Sequence, residues 1–205
     1  ELLQRYQAGE RNFQCVELRC SDKFRHVDLS RADFSNAHFS NCALREANFD
    51  HAILRNATIN ANLRRASFRL ADLQGASFCQ EFHGANAFHN RSSCLKEADL
   101  TSASLAQADL RAVKFQNATL ADTSLVSADL RGADLRRANL QNADLTNANL
   151  AEASLCYANL TGALLAGANI TGAKLAGATL PDGTVSQHEA LSMVEAKVAP
   201  FKKTD

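Results

Sequence analysis

The sequence predicts an all-β solenoid, and three observations carry this prediction. From Leu95 to Leu180 a large apolar residue, almost always Leu, stands at every residue number divisible by five. The residue two positions before it is small and is usually Ala. The chain is 46% hydrophobic but only 6% aromatic, so Ala and Leu supply most of its apolar content. A regular tandem repeat of this kind is typical of a quasi-one-dimensional coil.

The period of five decides how the chain runs. Residues i, i+5 and i+10 share no side of an α-helix, in which neighbours are about 100° apart. In a flat strand an odd period sends successive Leu residues to opposite faces. A chain that turns a corner after every five residues places the small and the large residue inward and the other three outward. Four such sides close a square coil of about 20 residues.

The first half of the chain keeps the repeat but shifts its phase twice. The centres up to Leu18 share one phase, those from Phe24 to Ile59 lie one residue later, and those from Leu63 to Phe78 lie one residue earlier again. We therefore expect a bulge near residues 21–23 and a tightened corner near Asn60. The repeats are enough for about eight coils, which at roughly 4.8 Å per coil form a rod about 40 Å long.

The phases also predict which side chains stack between coils. Phe13 should lie above Phe34, and Phe49 above Phe68, as ladders of the core. Glycines often stand two residues after a centre, as Gly132 does. The chain bends at this position, where a positive φ is sometimes required. We expect left-handed backbone at these glycines.

The N-terminal end of the coil needs a cover, because an open coil exposes apolar residues and unpaired backbone groups. Leu2, Leu3 and Tyr6 have near-helical spacing and are followed by Gly9. We therefore assign residues 1–12 to a short helical cap.

The repeat domain is expected to span residues 13–180, with an interruption at 79–94 that is either a loop or a pair of degenerate repeats. A turn and a helix over residues 181–205 follow it. Ser186 and Glu189 have the spacing of a capping box at the start of that helix.

The repeats resemble those of the pentapeptide-repeat family, because runs such as 128–130, 138–140 and 148–150 follow its Ala-Asp/Asn-Leu pattern. The stretch from Tyr6 to Phe13 is also similar to the opening of many cyanobacterial members. The resemblance implies a right-handed quadrilateral β-helix. Some cyanobacterial members regulate cell differentiation by protein contact, so it also implies a non-enzymatic, regulatory, protein-binding scaffold without a cofactor. Such a scaffold would act through its outer faces, the loop or the C-terminal helix.

The interruption contains Cys79, His83, His89 and Cys94, which are residue types suited to tetrahedral zinc. Their spacing matches no established zinc pattern, so a metal-binding module is an alternative rather than the leading interpretation. The same residues are also compatible with a disulfide between Cys79 and Cys94, or with two idle thiols.

Arginines and aromatic residues supply the candidate partner-binding residues. Arg25, Arg45 and Arg64 each follow a centre and are four repeats apart, so they should stack into a basic stripe. An ordinary solvated surface is the alternative interpretation. Arg111 and Arg131 form a shorter basic pair, which we expect Arg136 and Arg137 to join near the middle of the rod. The remaining candidates are two aromatic residues of the interruption, Phe82 and Phe88.

The overall charge bears on the type of partner. The 22 basic residues equal the 22 acidic ones, so no global field favours nucleic acid or an anionic membrane. The family resemblance raises a second hypothesis, a rod that imitates DNA and binds gyrase, but such mimicry requires a strongly negative surface. We expect a protein partner and a monomer or weak dimer. No nucleophile motif indicates an enzyme.

The six cysteines are too scattered for a disulfide scaffold. This predicts a cytoplasmic protein, with the thylakoid lumen or the periplasm as the alternative if a signal peptide has been removed.

Overall fold

The computed structural model describes residues 1–19, 24–78 and 93–186. A short helix of six residues, α1 (Leu2–Gln7), opens the chain. Three strands follow, β1 (Glu17–Arg19), β2 (His38–Ala43) and β3 (Thr58–Asn62), and they form a parallel sheet in the order β1-β2-β3.

The rest of the coil is held by parallel bridges of one residue each, which fall into four ladders that we name sides A to D. Side A contains Asn12, Asp33, Ile53, Asp72, Ser104, Ser124, Asp144 and Leu164. Side B contains Glu17, His38, Thr58, Ser77, Asp109, Asp129, Asn149 and Asn169. Side C contains Ala43, Asn62, Cys94, Lys114, Asp134, Ser154 and Lys174. Side D contains Asp28, Asn48, Ser67, Asp99, Thr119, Asn139, Asn159 and Thr179.

The ladders confirm that the chain is a β-helix solenoid whose coils stack in register. Each of the three longer ladders has eight rungs, so the described chain forms about eight coils. The small residue and the large residue of each repeat point into the coil, and Ala148 and Leu150, for example, are 1% and 0% exposed. Burying each Leu contributes about 1.5–3 kcal/mol to stability.

Aromatic rings stack inside the first coils in the predicted pairs. The ring centroids of Phe13 and Phe34 lie 5.4 Å apart, and those of Phe49 and Phe68 lie 4.9 Å apart with an interplanar angle of 3°. Phe39 adds an edge-to-face contact to the same cluster. These phenylalanines are therefore core ladders, as predicted.

Among the described residues the corners have left-handed backbone at the second residue after every centre except Ile59 and Leu180. The prediction for the glycines is confirmed, and φ at Gly132 is +63°. The same conformation extends to non-glycine residues such as Asn147 and Tyr157, with φ between +52° and +61°. The coil geometry thus imposes it on ordinary side chains, although each such residue costs roughly 1–2 kcal/mol in isolation.

A side-chain hydrogen bond at the same corners explains the preference for Asp or Asn directly before the centre. The Oδ1 of Asn159 accepts the backbone N–H of Thr161 at 3.0 Å, and that of Asp144 accepts the N–H of Thr146 at 3.0 Å. These are Asx turns, in which a short side chain pairs a corner N–H. The preference for these two residue types therefore has a local cause within each repeat.

The second phase shift appears as an irregularity between β2 and β3. Ser40 pairs with Asn60 and Cys42 with Ala61, so Asn41 is an extra residue in β2. After Ile59 the chain passes this corner within β3 and without a left-handed residue, and the next centre, Leu63, follows after four residues instead of five. This is the shortened corner expected near Asn60. The bulge expected at residues 21–23 lies outside the described residues.

The repeat resumes at the end of the interruption. Cys94 already pairs with Asn62 and Lys114 as a rung of side C. Ser93 is buried at the small inward position, where its hydroxyl donates to the carbonyl of Ile59 at 2.5 Å.

The first coil is contacted by α1. Tyr6 is buried, its ring lies 6.4 Å from that of Phe13, and its hydroxyl donates to the carbonyl of Ser30 at 2.8 Å.

At the other end the chain turns back. Val185 forms an antiparallel bridge with Thr179, and the N–H of Leu180 donates to the carbonyl of Thr184 at 2.7 Å. The predicted C-terminal helix falls on residues 187–205, which lie outside the described residues.

Candidate partner-binding surface

The predicted arginine stripe lies on side C. The N–H of His26 donates to the carbonyl of Arg45, and the N–H of Glu46 donates to the carbonyl of Arg64. Arg25, Arg45 and Arg64 therefore lie on successive coils, as expected. The same bonding pattern continues down the column through Lys96, Gln116, Arg136, Cys156 and Ala176.

Side C is far more basic than the other sides. We count the ladder residue, the residue after the centre and the corner residue of each repeat. Among the described residues of side C these positions hold three carboxylates, Glu46, Glu97 and Asp134. They also hold nine cationic residues: Arg25, Arg45, Arg64, Arg65, Lys96, Lys114, Arg136, Arg137 and Lys174.

On side D the acidic residues outnumber the basic ones at the described positions. Its described positions hold two arginines, Arg31 and Arg69, and five aspartates. The aspartates are Asp28, Asp50, Asp99, Asp122 and Asp182. Although the net charge of the chain is zero, its positive charge is therefore concentrated on side C.

The three carboxylates of side C pair with part of its positive charge. Glu97 accepts hydrogen bonds from Arg65 and Arg64, each at 2.7 Å. These bonds, with that from Arg65 first, hold the pKa of the Glu97 carboxyl below its usual range. Asp134 accepts Nε and Nη2 of Arg136 at 2.8 and 2.7 Å.

Five cations of side C have no carboxylate within ion-pair distance among the residues that the structure describes: Arg45, Lys96, Lys114, Arg137 and Lys174. All of them are half-buried or exposed. They are the charges most available to a partner, because no internal ion pair must be broken first.

The shorter arginine pair lies elsewhere. Arg111 and Arg131 follow centres of side B, and each is paired with the aspartate two residues before it, Asp109 or Asp129. The expected junction with Arg136 and Arg137 is wrong, because those two residues belong to side C. The coil corner separates the two groups.

A shallow depression of about 310 Å³ lies on side C. It is lined by Arg136, Arg137 and Tyr157, with Gln116, Asn117 and Cys156. Tyr157 is 65% exposed, and the guanidinium carbon of Arg137 lies 6.0 Å from its ring centroid. Sequence analysis missed this site, although an exposed aromatic at a corner was a signal that could have indicated it.

The candidate binding residues in the interruption at residues 79–94 remain predictions. Phe82, Phe88, Cys79, His83 and His89 lie outside the described residues. Cys94 is a half-buried, free thiol in the described part of the chain, and Cys79, with which it was an alternative disulfide pair, lies outside that part. Within the described ranges no three His, Cys, Asp or Glu side chains converge as a metal site would require.

No helix of the described residues has the length and apolar character needed to cross a bilayer.

A comparison with known protein families supports the repeat structure of the coil. The profile described as "Pentapeptide repeats" matches eight copies over residues 23–60, 58–80, 93–132, 114–150 and 143–182. The chain belongs to the pentapeptide-repeat family. No curated protein matches its sequence.

Proteins of cyanobacteria are among the solved structures that match this chain. HetL, a pentapeptide-repeat protein involved in heterocyst differentiation regulation in the cyanobacterium Nostoc sp. strain PCC 7120, is 31% identical, with 91% of this chain and 98% of HetL covered and a TM-score of 0.27. The pentapeptide-repeat protein alr5209 of the same cyanobacterium is 28% identical over 65% of this chain and 86% of its own, with a TM-score of 0.30.

A trypsin-treated form of QnrB1, a plasmid-mediated fluoroquinolone resistance protein, is 17% identical, with 91% of this chain and 92% of that chain covered and a TM-score of 0.56. This similarity shows a shared fold and nothing further.

Proposed function

We propose that this pentapeptide-repeat protein is a non-enzymatic, regulatory scaffold that binds another protein through side C. The observation that carries the proposal is the segregation of nine cations onto one side of a neutral rod. Charge complementarity of this kind steers association and selects a partner with an acidic surface. The family resemblance to regulatory cyanobacterial members supports the regulatory part.

A protein partner is favoured over nucleic acid by the pattern within side C. Glu46, Glu97 and Asp134 stand between the cations. A uniformly negative phosphate backbone would be repelled by these carboxylates, whereas a protein surface carries donors that can face them.

Binding to gyrase as a DNA mimic is the alternative function. The fold likeness to QnrB1 is its support, but a mimic of duplex DNA must copy a dense negative charge. A zero net charge and a basic side C oppose this. Inhibition of gyrase supercoiling by the purified chain at stoichiometric concentration would favour the alternative.

Finer features of the architecture belong to the same proposal. We propose a right-handed coil of square cross-section, supported by the four ladders. We also propose a helical cap at each end of the coil. At the N-terminus this is supported by the burial of Leu2 and Tyr6 in α1. A crystal structure tests both points.

We propose that the chain acts in the cytoplasm as a monomer or weak dimer. Cys15, Cys94 and Cys156 are free thiols, which supports a reducing compartment, whereas the disulfide bond of Cys42 favours the lumen or the periplasm. Labelling of denatured protein from its native cells with a maleimide decides between them. Reaction of all six cysteines supports the cytoplasm, and two unreactive cysteines would contradict it.

The test of side C is a quantitative capture from native cell extract. One bait carries Arg45→Glu, Lys96→Glu and Lys174→Glu, and the control bait carries Arg19→Glu, Arg31→Glu and Arg69→Glu. Both triple variants change the net charge equally, and the first breaks no ion pair among the described residues.

A protein captured by wild type and control, but lost from the side C variant, supports the proposal. Equal capture by all three would move the binding surface to another side or to the segments outside the described residues. Capture of no protein by wild type would contradict the scaffold function itself.

A further inference from the structure

We propose that the depression between Arg137 and Tyr157 is an anchor pocket for a carboxylate side chain of an acidic protein segment that docks along side C. This inference rests on the proposed function and identifies the residues that contribute most of the binding energy on side C. Interfaces concentrate their binding energy in a few residues, among which Arg and Tyr are enriched.

The position of Tyr157 is fixed by its neighbours in the corner column. The N–H of Arg137 donates to the carbonyl of Cys156 on the next coil, and the N–H of Tyr157 donates to the carbonyl of Ala176. A Cβ atom at Gly177 would lie only 2.6 Å from Cδ1 of Tyr157. The ring therefore lies over the glycine, with the guanidinium of Arg137 on the adjacent coil.

The two arginines of the pocket have different roles. Arg136 is held by both oxygens of Asp134 and contributes a fixed wall. The guanidinium of Arg137 lies over the Tyr157 ring, 6.0 Å from its centroid, and Arg137 has no carboxylate partner among the described residues. Its planar guanidinium can take both oxygens of an incoming carboxylate, which is the strongest form of this contact.

The remaining wall suits a polypeptide. Tyr157 offers a large, rigid, half-apolar surface that loses little conformational entropy on binding. The amide side chains of Gln116 and Asn117 can pair with a peptide backbone. Lys114 and Lys174 flank the pocket along the ladder of side C, so further acidic residues of the same segment would meet unpaired cations.

A labelled peptide tests the pocket directly. The probe is a fluorescein-labelled peptide of about twenty residues in which Glu alternates with Ser, followed by fluorescence anisotropy at about 50 mM salt, where exposed charges are weakly screened. Arg137→Gln and Tyr157→Ala are the test variants. Leu70→Ala is the control, because Leu70 is also an exposed corner residue with positive φ. Melting curves check that every variant is folded.

We expect the wild type and Leu70→Ala to bind the peptide equally and each pocket variant to bind it about tenfold more weakly, as for a hot-spot residue. Equal binding by all four proteins would overturn the anchor pocket while leaving side C as the docking surface. Loss of binding only in the triple side C variant would overturn the pocket in the same way.

Two further outcomes bear on the ligand. Tighter binding of an oligothymidylate of equal length, or of phosphatidylserine vesicles, would replace the polypeptide with nucleic acid or a membrane and overturn the proposal. No peptide binding by the wild type would also overturn the pocket, whereas the capture experiment would still test the scaffold function.

Discussion

The rings of Phe49 and Phe68 lie face to face on successive coils, 4.9 Å apart and 3° from parallel. Each phenyl ring occupies the centre of its repeat on side D, so the coil spacing itself sets their distance. Phe49 also makes edge contacts with Phe34 and Phe39. Aromatic contacts thus reinforce the first coils, whereas Leu fills most centres later in the chain.

We expect Phe49→Leu to destabilise the protein by about 1 kcal/mol more than Phe115→Leu, because aromatic pairs contribute beyond their buried area. Phe115 is equally buried, and no other described ring contacts it. Chemical denaturation of both variants gives the difference. Equal losses of unfolding free energy would show that the ring stacks contribute only through buried area.

Replacement of a corner Asx side chain should cost about 1 kcal/mol, the usual net value of a hydrogen bond. Asn159→Ala removes an acceptor of the N–H and the hydroxyl of Thr161. Ser154→Ala is the control, because Ser154 is also a ladder residue but its hydroxyl makes only a 3.8 Å contact with Cys156. Denaturation should separate the two variants, and Asn159→Asp should resemble wild type. A cost as large for Ser154→Ala would contradict this role of the side-chain oxygen.

Two glycine corners should respond differently to a methyl group. Gly132→Ala meets no atom within 4 Å, and Ala112 already occupies the same corner on the preceding coil with φ of +55°. Gly177→Ala must displace the Tyr157 ring. We expect a loss of about 1 kcal/mol or less for Gly132→Ala and a larger loss for Gly177→Ala.

Tyrosine fluorescence together with thermal melting checks this pair of variants. The chain has no Trp and two Tyr, so a changed environment of Tyr157 is observable. An unchanged tyrosine signal in Gly177→Ala would contradict the position of the ring over the glycine.

Acid should destabilise the coil through its paired aspartates. Hydrogen bonds from Arg131 hold the pKa of Asp129 below its usual range, despite burial. For Asp134, burial raises the pKa, but the bonds from Arg136 and Gln116 more than offset this and lower it. Because these pKa values are lower in the folded state, the unfolded chain binds more protons in acid and stability falls as the pH falls.

We expect the melting temperature to decrease below about pH 5, where unfolded aspartates begin to take up protons. A double variant with Asp129→Asn and Asp134→Asn should show a shallower decrease, and Asn is accepted at this repeat position elsewhere, as at Asn139. Melting curves from pH 7 to about pH 2 test this. The same slope in both proteins would contradict the assignment to these two carboxylates.

The coil was predictable because its period is set by local geometry. Leu at every fifth residue and Ala two before it determine which residues are inside, so the stacking of Phe13 on Phe34 follows from counting. The phase shift near Asn60 is visible for the same reason. Its structural form, an extra residue at Asn41 in the facing strand, depends on pairing between coils and has no local signal.

The candidate site was only half predictable. Arg25, Arg45 and Arg64 have the spacing of neighbours, and they stack. The continuation to Arg136 crosses the interruption at residues 79–94, whose length alone does not tell how many sides it spans. Spacing alone therefore groups Arg136 with Arg131, which precedes it by one repeat but lies on side B. The pocket at Tyr157 requires contacts between three coils, which no window of sequence contains.

The central claim is that the positive charge of side C binds an acidic protein. Once a partner is captured, its dissociation constant should be measured for the wild type, for the side C triple variant and for the control triple variant, at about 50 and 200 mM salt. We expect the side C variant to lose at least about tenfold in affinity and most of the salt dependence, while the control stays near wild type. Equal losses in both triple variants, or an affinity indifferent to salt, would contradict the claim.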